Sequence, residues 1–453
     1  MSVSKAAPPV RPDLTRIAII GAGMAGCATA WFLRQALGDT LILDIYEKND
    51  RVGGRAAIID MDGVAMEAGG AIIHETNRYL SGFIDLLGLE RIAPTDDLDQ
   101  GGSVGIWDGS GLVFRTHPSL LRTRLSALKR YGLLSPLRTQ SLVKHTVTKW
   151  NAIYAHLEAG KSFQDPQSLL AALGLDDLPN QTGRAWLEQA GVKPRFIAEY
   201  ASPVGRIMYG QSAAMHAFAT AIALAGAGMA GKLFSVGGGN FRICAGLIDH
   251  AGARLHLSTP ISAIGKNQDG RMTLQAQNSK QNTYDVIVLA TPDGPGGLEI
   301  SGITVAPAAL TKRPFQTTWT TLIKGRARPA CFGFERASDL PDIVLTTENP
   351  SIPFSSLGLM DRAPDGTPLY KIFSRQRPDP ALLDTLFERI DLLKSKCWQA
   401  YPVLEPARPL PPFEPGERLF WVNAMEFAVS TMETETVAAR NVSNRIIARL
   451  RAQ

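Results

Sequence analysis

A short apolar run leads directly into a glycine-rich turn in the sequence Ile17-Ala18-Ile19-Ile20-Gly21-Ala22-Gly23-Met24-Ala25-Gly26. Its first four residues are apolar and mostly β-branched, which predicts a buried strand. Residues 27–37 carry helix formers at apolar spacing, and a second apolar strand is predicted over residues 41–46. Glu47 follows that strand, 21 residues after Gly26. A strand, a Gly-x-Gly-x-x-Gly turn, a helix and a later acid together predict a dinucleotide-binding βαβ unit.

The three glycines of the turn have separate roles in this unit. Gly21 allows the tight turn, Gly23 lets the backbone approach a pyrophosphate, and Gly26 permits close packing of helix on strand. The pyrophosphate would lie at the N-terminus of the helix, where free N–H groups and the dipole favour an anion. Glu47 would accept hydrogen bonds from the adenosine ribose. The alternative is a glycine-rich turn between two core elements, which the position of Glu47 disfavours.

An identical string, Gly226-Ala227-Gly228-Met229-Ala230-Gly231, occurs later in the chain. Residues 213–225 before it are alanine-rich and helical in pattern, and residues 232–239 after it lead into further glycines. Because the strand and the following helix are missing, a second nucleotide site is not predicted there. We expect a loop or a close-packed segment.

Two further glycine pairs favour a flavin over a nicotinamide. Arg51-Val52-Gly53-Gly54-Arg55 and Met66-Glu67-Ala68-Gly69-Gly70-Ala71-Ile72-Ile73-His74 follow the first unit closely. Glycine lets backbone approach a ligand, and arginine can neutralise phosphate oxygens. The cofactor predicted is FAD. A solvated loop is the alternative for the two arginines.

The length of 453 residues is too great for one simple core, so two connected domains are expected. The predicted fold class is α/β, with a discontinuous Rossmann-like FAD-binding domain and an inserted substrate-binding domain of antiparallel sheet plus helices. After a flexible tail (1–16), the FAD-binding domain takes residues 17–80, 215–300 and 415–453. The substrate-binding domain takes residues 81–214, expected to be mostly helical, and 301–414, with an antiparallel sheet expected between residues 317 and 370.

The net charge and the cysteine content limit the possible binding partners and the cellular compartment. A net charge of +5 over this length does not indicate nucleic acid. No Cys-x-x-Cys pair occurs among the four cysteines, which are Cys27, Cys244, Cys331 and Cys397. We therefore expect neither a zinc site nor any other metal site, and we expect the cysteines to be reduced, buried thiols. The N-terminus lacks the apolar core of a signal peptide. We therefore expect a cytoplasmic protein, at most peripheral to a membrane.

Five further motifs resemble the prenylcysteine oxidase (prenylcysteine lyase) family, within the glutathione-reductase-like and amine-oxidase flavoprotein superfamily. They lie in matching order across nearly the whole chain, and Met208 stands where the family pattern has asparagine. The motifs are Glu47-Lys-x-x-x-Val-Gly-Gly-Arg55, Glu67-Ala-Gly-Gly-Ala-Ile-Ile-His74, Arg206-Ile-Met-Tyr-Gly-Gln211, Phe234-Ser-Val-Gly-Gly-Gly-Asn240, and Asn423-Ala-Met-Glu426 with Ser430-Thr-Met-Glu433.

The resemblance implies FAD-dependent oxidation of the carbon next to sulfur in a prenylcysteine-like thioether. Water and O₂ would be consumed, and an aldehyde, free cysteine and hydrogen peroxide released. Because the cofactor carries the difficult chemistry, no metal or nucleophilic side chain is required. Two alternatives stay open on the same scaffold: a flavin amine oxidase or polyene desaturase, and a non-catalytic prenyl-binding protein of the GDP-dissociation-inhibitor type.

The candidate site residues combine the fingerprint with the resemblance. His74, Arg206, Tyr209 and Gln211 are the candidate catalytic residues, with structural hydrogen bonding as the alternative for each. Lys324 is weighed as a flavin-side lysine, with a solvated strand lysine favoured. The candidate cofactor-binding residues are Gly21, Gly23, Ala25, Gly26, Glu47, Lys48, Gly53, Gly54, Arg55, Gly69, Gly70, Ala71, Ile261, Glu426, Thr431 and Met432.

The region 115–149 is basic and contains no aspartate or glutamate. Within it, residues 120–131 place leucines near one helical face and cations elsewhere. This pattern suits a weak contact with a membrane surface that delivers a prenyl lipid. A solvated helix that covers an apolar pocket would show the same pattern, and this second interpretation is preferred.

Overall fold

The computed structural model describes residues 14–93, 102–117, 119–229, 231–277 and 281–452. Most of the predicted tail, residues 1–13, lies outside the described residues. The strands, numbered in chain order, are β1 (Thr15–Ile20), β2 (Leu41–Tyr46), β3 (Ile58–Met61), β4 (Val64–Glu67), β5 (Ile73–His74), β6 (Arg91–Ile92), β7 (Val104–Trp107), β8 (Leu112–Arg115), β9 (Leu233–Val236), β10 (Arg254–His256), β11 (Ile261–Lys266), β12 (Met272–Ala276), β13 (Asn282–Tyr284), β14 (Val286–Leu289), β15 (Glu299–Ser301), β16 (Phe315–Ala327), β17 (Ile343–Thr346), β18 (Ser356–Arg362), β19 (Pro368–Ser374), β20 (Phe387–Pro402) and β21 (Leu419–Trp421).

The α-helices in the same part of the chain are α1 (Met24–Leu37), α2 (Arg78–Leu86), α3 (Leu120–Tyr131), α4 (Leu134–Asn151), α5 (Ile153–Glu158), α6 (Pro166–Ala172), α7 (Gly183–Gln189), α8 (Pro194–Phe196), α9 (Ser202–Tyr209), α10 (Ala217–Leu224), α11 (Phe241–Ala251), α12 (Pro307–Leu310), α13 (Pro380–Leu386) and α14 (Met432–Arg451).

A five-stranded sheet in the order β10-β2-β1-β14-β21 forms the centre of the nucleotide-binding half. All its pairs are parallel. The residues of β14 are all buried, as expected for a strand covered on both faces. Helix α1 packs against α11 and α14. The α/β class with a Rossmann-like unit is therefore confirmed, and the last helix begins where the sequence predicted.

A seven-stranded sheet in the order β20-β16-β19-β18-β17-β7-β8 forms the second half. Its pairs are antiparallel except for β17 with β7. The antiparallel sheet predicted between residues 317 and 370 is present. The region expected to be mostly helical, residues 81–214, contains α3 to α9, and it also contains the four-residue strands β7 and β8, which pair in this sheet. Strand β20, which no sequence pattern had indicated, pairs along the whole of β16.

Each of the two large sheets takes its strands from one of the two proposed domains. The five-stranded sheet draws on the three segments assigned to the FAD-binding domain, apart from the first residues of β1. The seven-stranded sheet draws on both segments assigned to the substrate-binding domain. A four-stranded sheet, β13-β12-β11-β15, adds to the first half. The domain division itself stays a prediction.

The cysteine prediction holds for two residues and fails for another. Cys27 and Cys244 are buried between α1 and α11, whereas Cys397 is exposed on β20. Successive side chains of a strand point to opposite faces of the sheet, and Cys397 lies on a face of β20 that is open to solvent. Among the described residues, no helix combines the length and apolarity needed to cross a lipid bilayer.

Candidate active site

One cavity of about 1560 Å³ runs from the five-stranded sheet to the seven-stranded sheet. At one end its wall contains Ile20, Tyr46 and Ala290, which lie at the carboxyl ends of β1, β2 and β14. This edge of an open parallel sheet is where nucleotides bind. A single drug-sized ligand occupies about 300–1,000 Å³, so the cavity has room for a dinucleotide and a second molecule.

The glycine turn forms this end of the cavity. Gly21 has a φ of +111°, and a Cβ there would lie 2.3 Å from the carbonyl oxygen of Ala290. A Cβ on Gly26 would lie 2.0 Å from the oxygen of Gly21, so Gly26 serves helix packing and does not line the cavity. Gly23 is different, because a Cβ there would meet only the Cα of Gly54, at 3.8 Å. Gly23 and Ala25 line the cavity, so the fold leaves open space at the N-terminus of α1.

Glu47 is buried at the end of β2 and belongs to the cavity wall. Its Oε2 accepts a hydrogen bond from the Ala22 N–H at 3.0 Å, and its Oε1 accepts one from the Asn49 N–H at 2.9 Å. The carboxylate therefore braces the glycine turn. Its oxygens have further acceptor capacity for ribose hydroxyls. Lys48 is exposed at the cavity rim.

The second glycine pair packs against the first turn. Gly53 and Gly54 have φ values of +100° and +57°, which favour glycine, and the Gly53 N–H donates to the Ala22 carbonyl at 2.8 Å. The Arg51 guanidinium lies at the cavity wall but donates to carbonyls of its own loop, including that of Gly54 at 2.9 Å. The pair thus holds two loops together beside the cavity.

Arg55 forms an ion pair with Glu426, which is fully buried. Burial opposes the charge on Arg55, but Glu426 raises the pKa of the guanidinium. The same guanidinium donates to the Ala400 carbonyl at 2.8 Å and lines the cavity. Glu426 itself is not part of the cavity wall. Its direct contact with the cofactor stays a prediction, and its observed action is to orient Arg55.

The third glycine pair packs against the segment that follows the second, since the Gly70 N–H donates to the Arg55 carbonyl at 3.1 Å. A Cβ on Gly69 would lie 2.6 Å from the Trp398 ring, and one on Gly70 would lie 3.3 Å from the Met432 sulfur. Gly69, Gly70 and Ala71 all line the cavity. Asn240 holds this segment, donating through its side-chain amide to the Gly70 carbonyl at 2.8 Å. The glycines therefore allow close approach between this segment, β20 and the start of α14.

Helix α14 begins at the cavity. Thr431 caps the helix by accepting from the Thr434 N–H at 3.0 Å, and Thr431 and Met432 line the cavity. The first N–H groups of a helix have no partner within it and carry a partial positive charge, so they suit an acceptor on the cofactor. Ile261, at the start of β11, is also in the wall.

Two buried carboxyls, Glu433 and Glu435, and the partly buried Glu67 also line the cavity, and none of them was assigned a role from the sequence. Burial raises the pKa of Glu67 and of Glu433 to about 7. Glu433 accepts from the N–H groups of Tyr79 and Leu80 at 2.8 and 2.9 Å, so it caps α2. Burial, reinforced by Glu426, raises the pKa of Glu435 further, and neither of its oxygens has a partner among the described residues. No periodicity marks such residues, because only the folded neighbours bury them.

His74 lies at the cavity wall and is held in one tautomer. The Thr76 N–H donates to its Nδ1 at 3.1 Å, so in the neutral ring the proton is on Nε2. Burial lowers the pKa of His74 and favours that neutral form. Nε2 is buried without a partner among the described residues. His74 can therefore donate one hydrogen bond.

The Arg206 motif is largely structural. Arg206 is buried; it donates to Thr346 Oγ1 at 3.2 Å and pairs with Glu348 at 3.0 Å. Gln211 is bound to backbone groups at both ends of its amide and does not line the cavity. Arg206 and Tyr209 do line it. Arg375, which the sequence did not single out, pairs with the same Glu348 at 2.8 Å and leaves this cluster with excess positive charge.

Two sequence interpretations are settled by position. Lys324 pairs with the exposed carboxylates of Asp62 and Asp365 at 2.5 and 2.6 Å and does not line the cavity, so it is an ion-paired strand lysine and not a flavin-side one. The second glycine string follows α10 and contains an irregular turn with Gly228 at a φ of +81°. It joins no strand to a helix, although it lines the far part of the cavity.

Comparison with known proteins gives consistent results. Residues 118–453 match the family model described as prenylcysteine lyase, and residues 19–87 match an NAD(P)-binding Rossmann-like domain. Farnesylcysteine lyase of Arabidopsis thaliana is 35% identical, covering 96% of this chain and 88% of the relative. Human prenylcysteine oxidase 1 is 31% identical, covering 95% and 88%.

Solved structures share the fold at low identity. A putrescine oxidase bound to putrescine superposes with a TM-score of 0.64 at 16% identity, covering 96% of this chain and 99% of that one. The cyclohexylamine oxidase of Brevibacterium oxydans gives a TM-score of 0.65 at 16% identity, covering 97% and 100%. At this level of identity the similarity describes the fold alone.

Proposed function

This chain belongs to the prenylcysteine lyase family, and on that premise we propose that it is an FAD-dependent oxidoreductase that cleaves a prenylcysteine-like thioether. The overall reaction would convert the thioether, O₂ and water into a prenyl aldehyde, free cysteine and hydrogen peroxide. The carbon next to sulfur is oxidised by two electrons, the C–S bond breaks, and O₂ is reduced. The observation that carries this proposal is a cavity that continues from the glycine turn into an apolar end.

The residues present fit FAD. The turn at Gly23 leaves the N-terminus of α1 open, and the first turn of α14 lies at the same cavity. Arg55 is held at the wall by Glu426, and the glycine pair at Gly69 permits close approach. When bound, FAD supplies the two-electron acceptor for the thioether and returns the electrons to O₂. The remaining work falls to the protein.

The apolar end suits a prenyl chain. Its wall contains Phe114, Val147, Trp150, Val204 and Ile222. Burial of an isoprenoid chain here would exclude bulk water and fix the reacting carbon relative to the cofactor. His74, with its Nε2–H free to donate, would orient the reactant water or a polar group of the substrate. Arg206 and Arg375 would attract the cysteine carboxylate, with Arg206 acting chiefly through the Glu348 loop that it holds.

We also propose that the protein works in the cytoplasm, peripheral to a membrane. All four cysteines are unpaired, which favours a reducing compartment. The basic region 115–149 enters this proposal as a weak contact with a membrane surface. No contact with nucleic acid is proposed.

The deciding experiment is peroxide release from the FAD-loaded protein, assayed with farnesylcysteine, geranylgeranylcysteine and a panel of primary amines. We expect peroxide and an equal amount of free thiol with at least one prenylcysteine, and neither with the amines. Peroxide from amines alone would indicate an amine oxidase. A protein that does not take up FAD would instead indicate the non-catalytic prenyl-binding function.

A further inference from the structure

Seven leucines between residues 120 and 137 are exposed. Each has 47–67% of its surface open to solvent, which is unusual for so many large apolar side chains in so short a stretch. We call this surface the leucine patch. Its members are Leu120, Leu121, Leu125 and Leu128 on α3, Leu133 between the helices, and Leu134 and Leu137 on α4.

The exposure of these leucines shows that the preferred interpretation of residues 120–131, a helix that covers an apolar pocket, is wrong. A covering helix would turn its leucines inward. Here Tyr131 is the one buried residue among those described in α3, whereas Leu121, Leu125 and Leu128 repeat at i, i+4 and i+7 and are all exposed. The apolar stripe of α3 therefore faces away from the protein, which is the orientation that an external apolar partner requires.

Cations border the leucines, and Glu199, a carboxylate that contacts α3 from another segment, is paired with Arg130. Arg122, Arg124 and Lys129 are exposed on α3, and within the described part of the chain none of them forms an ion pair. The sequence from residue 109 to residue 157 contains no acidic residue. A lipid bilayer with anionic headgroups satisfies both features at once, because it offers an apolar interior beneath a negative surface.

The patch is continuous with the rim of the cavity. Leu137, Gln140 and Lys144 repeat at i, i+3 and i+7, so they share one face of α4. Leu137 belongs to the patch, whereas Gln140 and Lys144 line the cavity, and both of these are exposed. Val147 and Trp150, further along α4, belong to its apolar wall.

We propose that the leucine patch is a docking surface for an anionic bilayer, with its leucines inserted among the lipids and Arg122, Arg124 and Lys129 against the headgroups. Docking places the Gln140–Lys144 rim at the membrane, so that a bilayer-dissolved prenyl compound enters the cavity directly. This second part rests on the proposed thioether oxidase function. The docking itself does not.

Vesicle flotation of the FAD-loaded protein tests docking without any substrate. Vesicles of phosphatidylcholine with phosphatidylserine should carry the protein, and added salt should weaken its binding. The variant L121S/L125S/L128S should bind about 100-fold more weakly, since three inserted side chains are lost. R122Q/R124Q/K129Q should lose the preference for phosphatidylserine. L310S/L393S, which alters exposed leucines elsewhere, should bind as the unaltered protein does.

Two outcomes would overturn the proposal. Flotation of L121S/L125S/L128S equal to that of the unaltered protein would remove the patch from membrane binding. Light scattering that shows a dimer in the unaltered protein, a monomer in this variant and no vesicle binding by either would make the patch a contact between two copies of the chain. Peroxide release with detergent-dispersed farnesylcysteine is a separate readout, so that a failure of docking is distinguishable from a failure of the oxidase function.

Discussion

Replacing Gly23 by alanine should separate cofactor binding from folding. The Cβ would meet only the Gly54 Cα at 3.8 Å, an ordinary contact, and the Gly23 φ of −84° suits alanine. The apo-protein should therefore fold normally and keep its stability to within about 1 kcal/mol, because the freedom that the unfolded chain loses is offset by the poorer N-cap that alanine makes for α1. The added methyl group would, however, occupy the open space at the N-terminus of α1 where the pyrophosphate is expected.

The cost to FAD binding follows from the contacts displaced. Moving the pyrophosphate away loses one or two hydrogen bonds to a charged acceptor, at about 1.5–3 kcal/mol each, together with part of the helix-dipole interaction. A loss of about 3 kcal/mol corresponds to a roughly 100-fold higher Kd. Titration of apo-protein with FAD, followed by flavin fluorescence, measures this change. Thermal unfolding of the apo-protein measures stability.

Gly82→Ala is the matched control. Gly82 lies within α2, a Cβ there meets no atom within 4 Å, and it does not line the cavity. It should fold normally, gain up to about 1 kcal/mol of stability as a helix-interior position, and bind FAD normally. If Gly23→Ala binds FAD within about threefold of the unaltered protein, the placement of the pyrophosphate at this turn is refuted.

Three further predictions concern charged groups. Glu67 has a pKa of about 7 in the folded protein, above its value in the unfolded chain, so the unfolded chain loses this proton at lower pH. The free energy of unfolding of the apo-protein should therefore fall by up to about 3 kcal/mol as the pH rises from roughly 4.5 to 7. Glu67→Gln should make this fall smaller in denaturant titrations, and an equal fall in the variant would contradict the prediction. Lys324→Met should leave FAD affinity and peroxide rate unchanged, since Lys324 pairs with exposed carboxylates; a collapse of the rate would restore its flavin-side role. Arg206→Gln should destabilise the protein by about 1–3 kcal/mol, because the buried acceptors on Thr346 and Phe354 lose a charged donor while Glu348 keeps its pair with Arg375. Arg206→Lys should be intermediate, and calorimetry showing no loss would exclude this anchoring role.

The first 75 residues carried most of what could be predicted. Local patterns sufficed there, because a strand, a glycine turn and a helix are contiguous and each glycine meets a steric demand within the same unit. The same patterns indicated that the second glycine string does not join a strand to a helix, and the structure confirms this. The distant motifs identified the family, and the last helix began at its threonine cap.

Elements that depend on distant partners escaped prediction. Strands β7, β8 and β20 pair with other strands of the seven-stranded sheet. Their own sequences, which are short or weakly patterned, are not sufficient to predict a strand. The sequence also could not predict which residues of a motif line the cavity. Arg55 lines it, whereas Glu426 pairs with Arg55 outside the cavity wall, and the Gln211 side chain is hydrogen-bonded to backbone groups.

Local sequence patterns were therefore sufficient for the nucleotide-binding unit and the expected cofactor, because these residues lie in one contiguous segment in which each pattern specifies its own strand, turn or helix. The family followed from separate motifs that keep their order along the chain. Tertiary structure alone decided the burial that raises the pKa of Glu67, Glu433 and Glu435. It also decided that the α3 leucines face outward. A helical pattern fixes which side chains share a face, but only packing against the rest of the protein determines which face meets solvent.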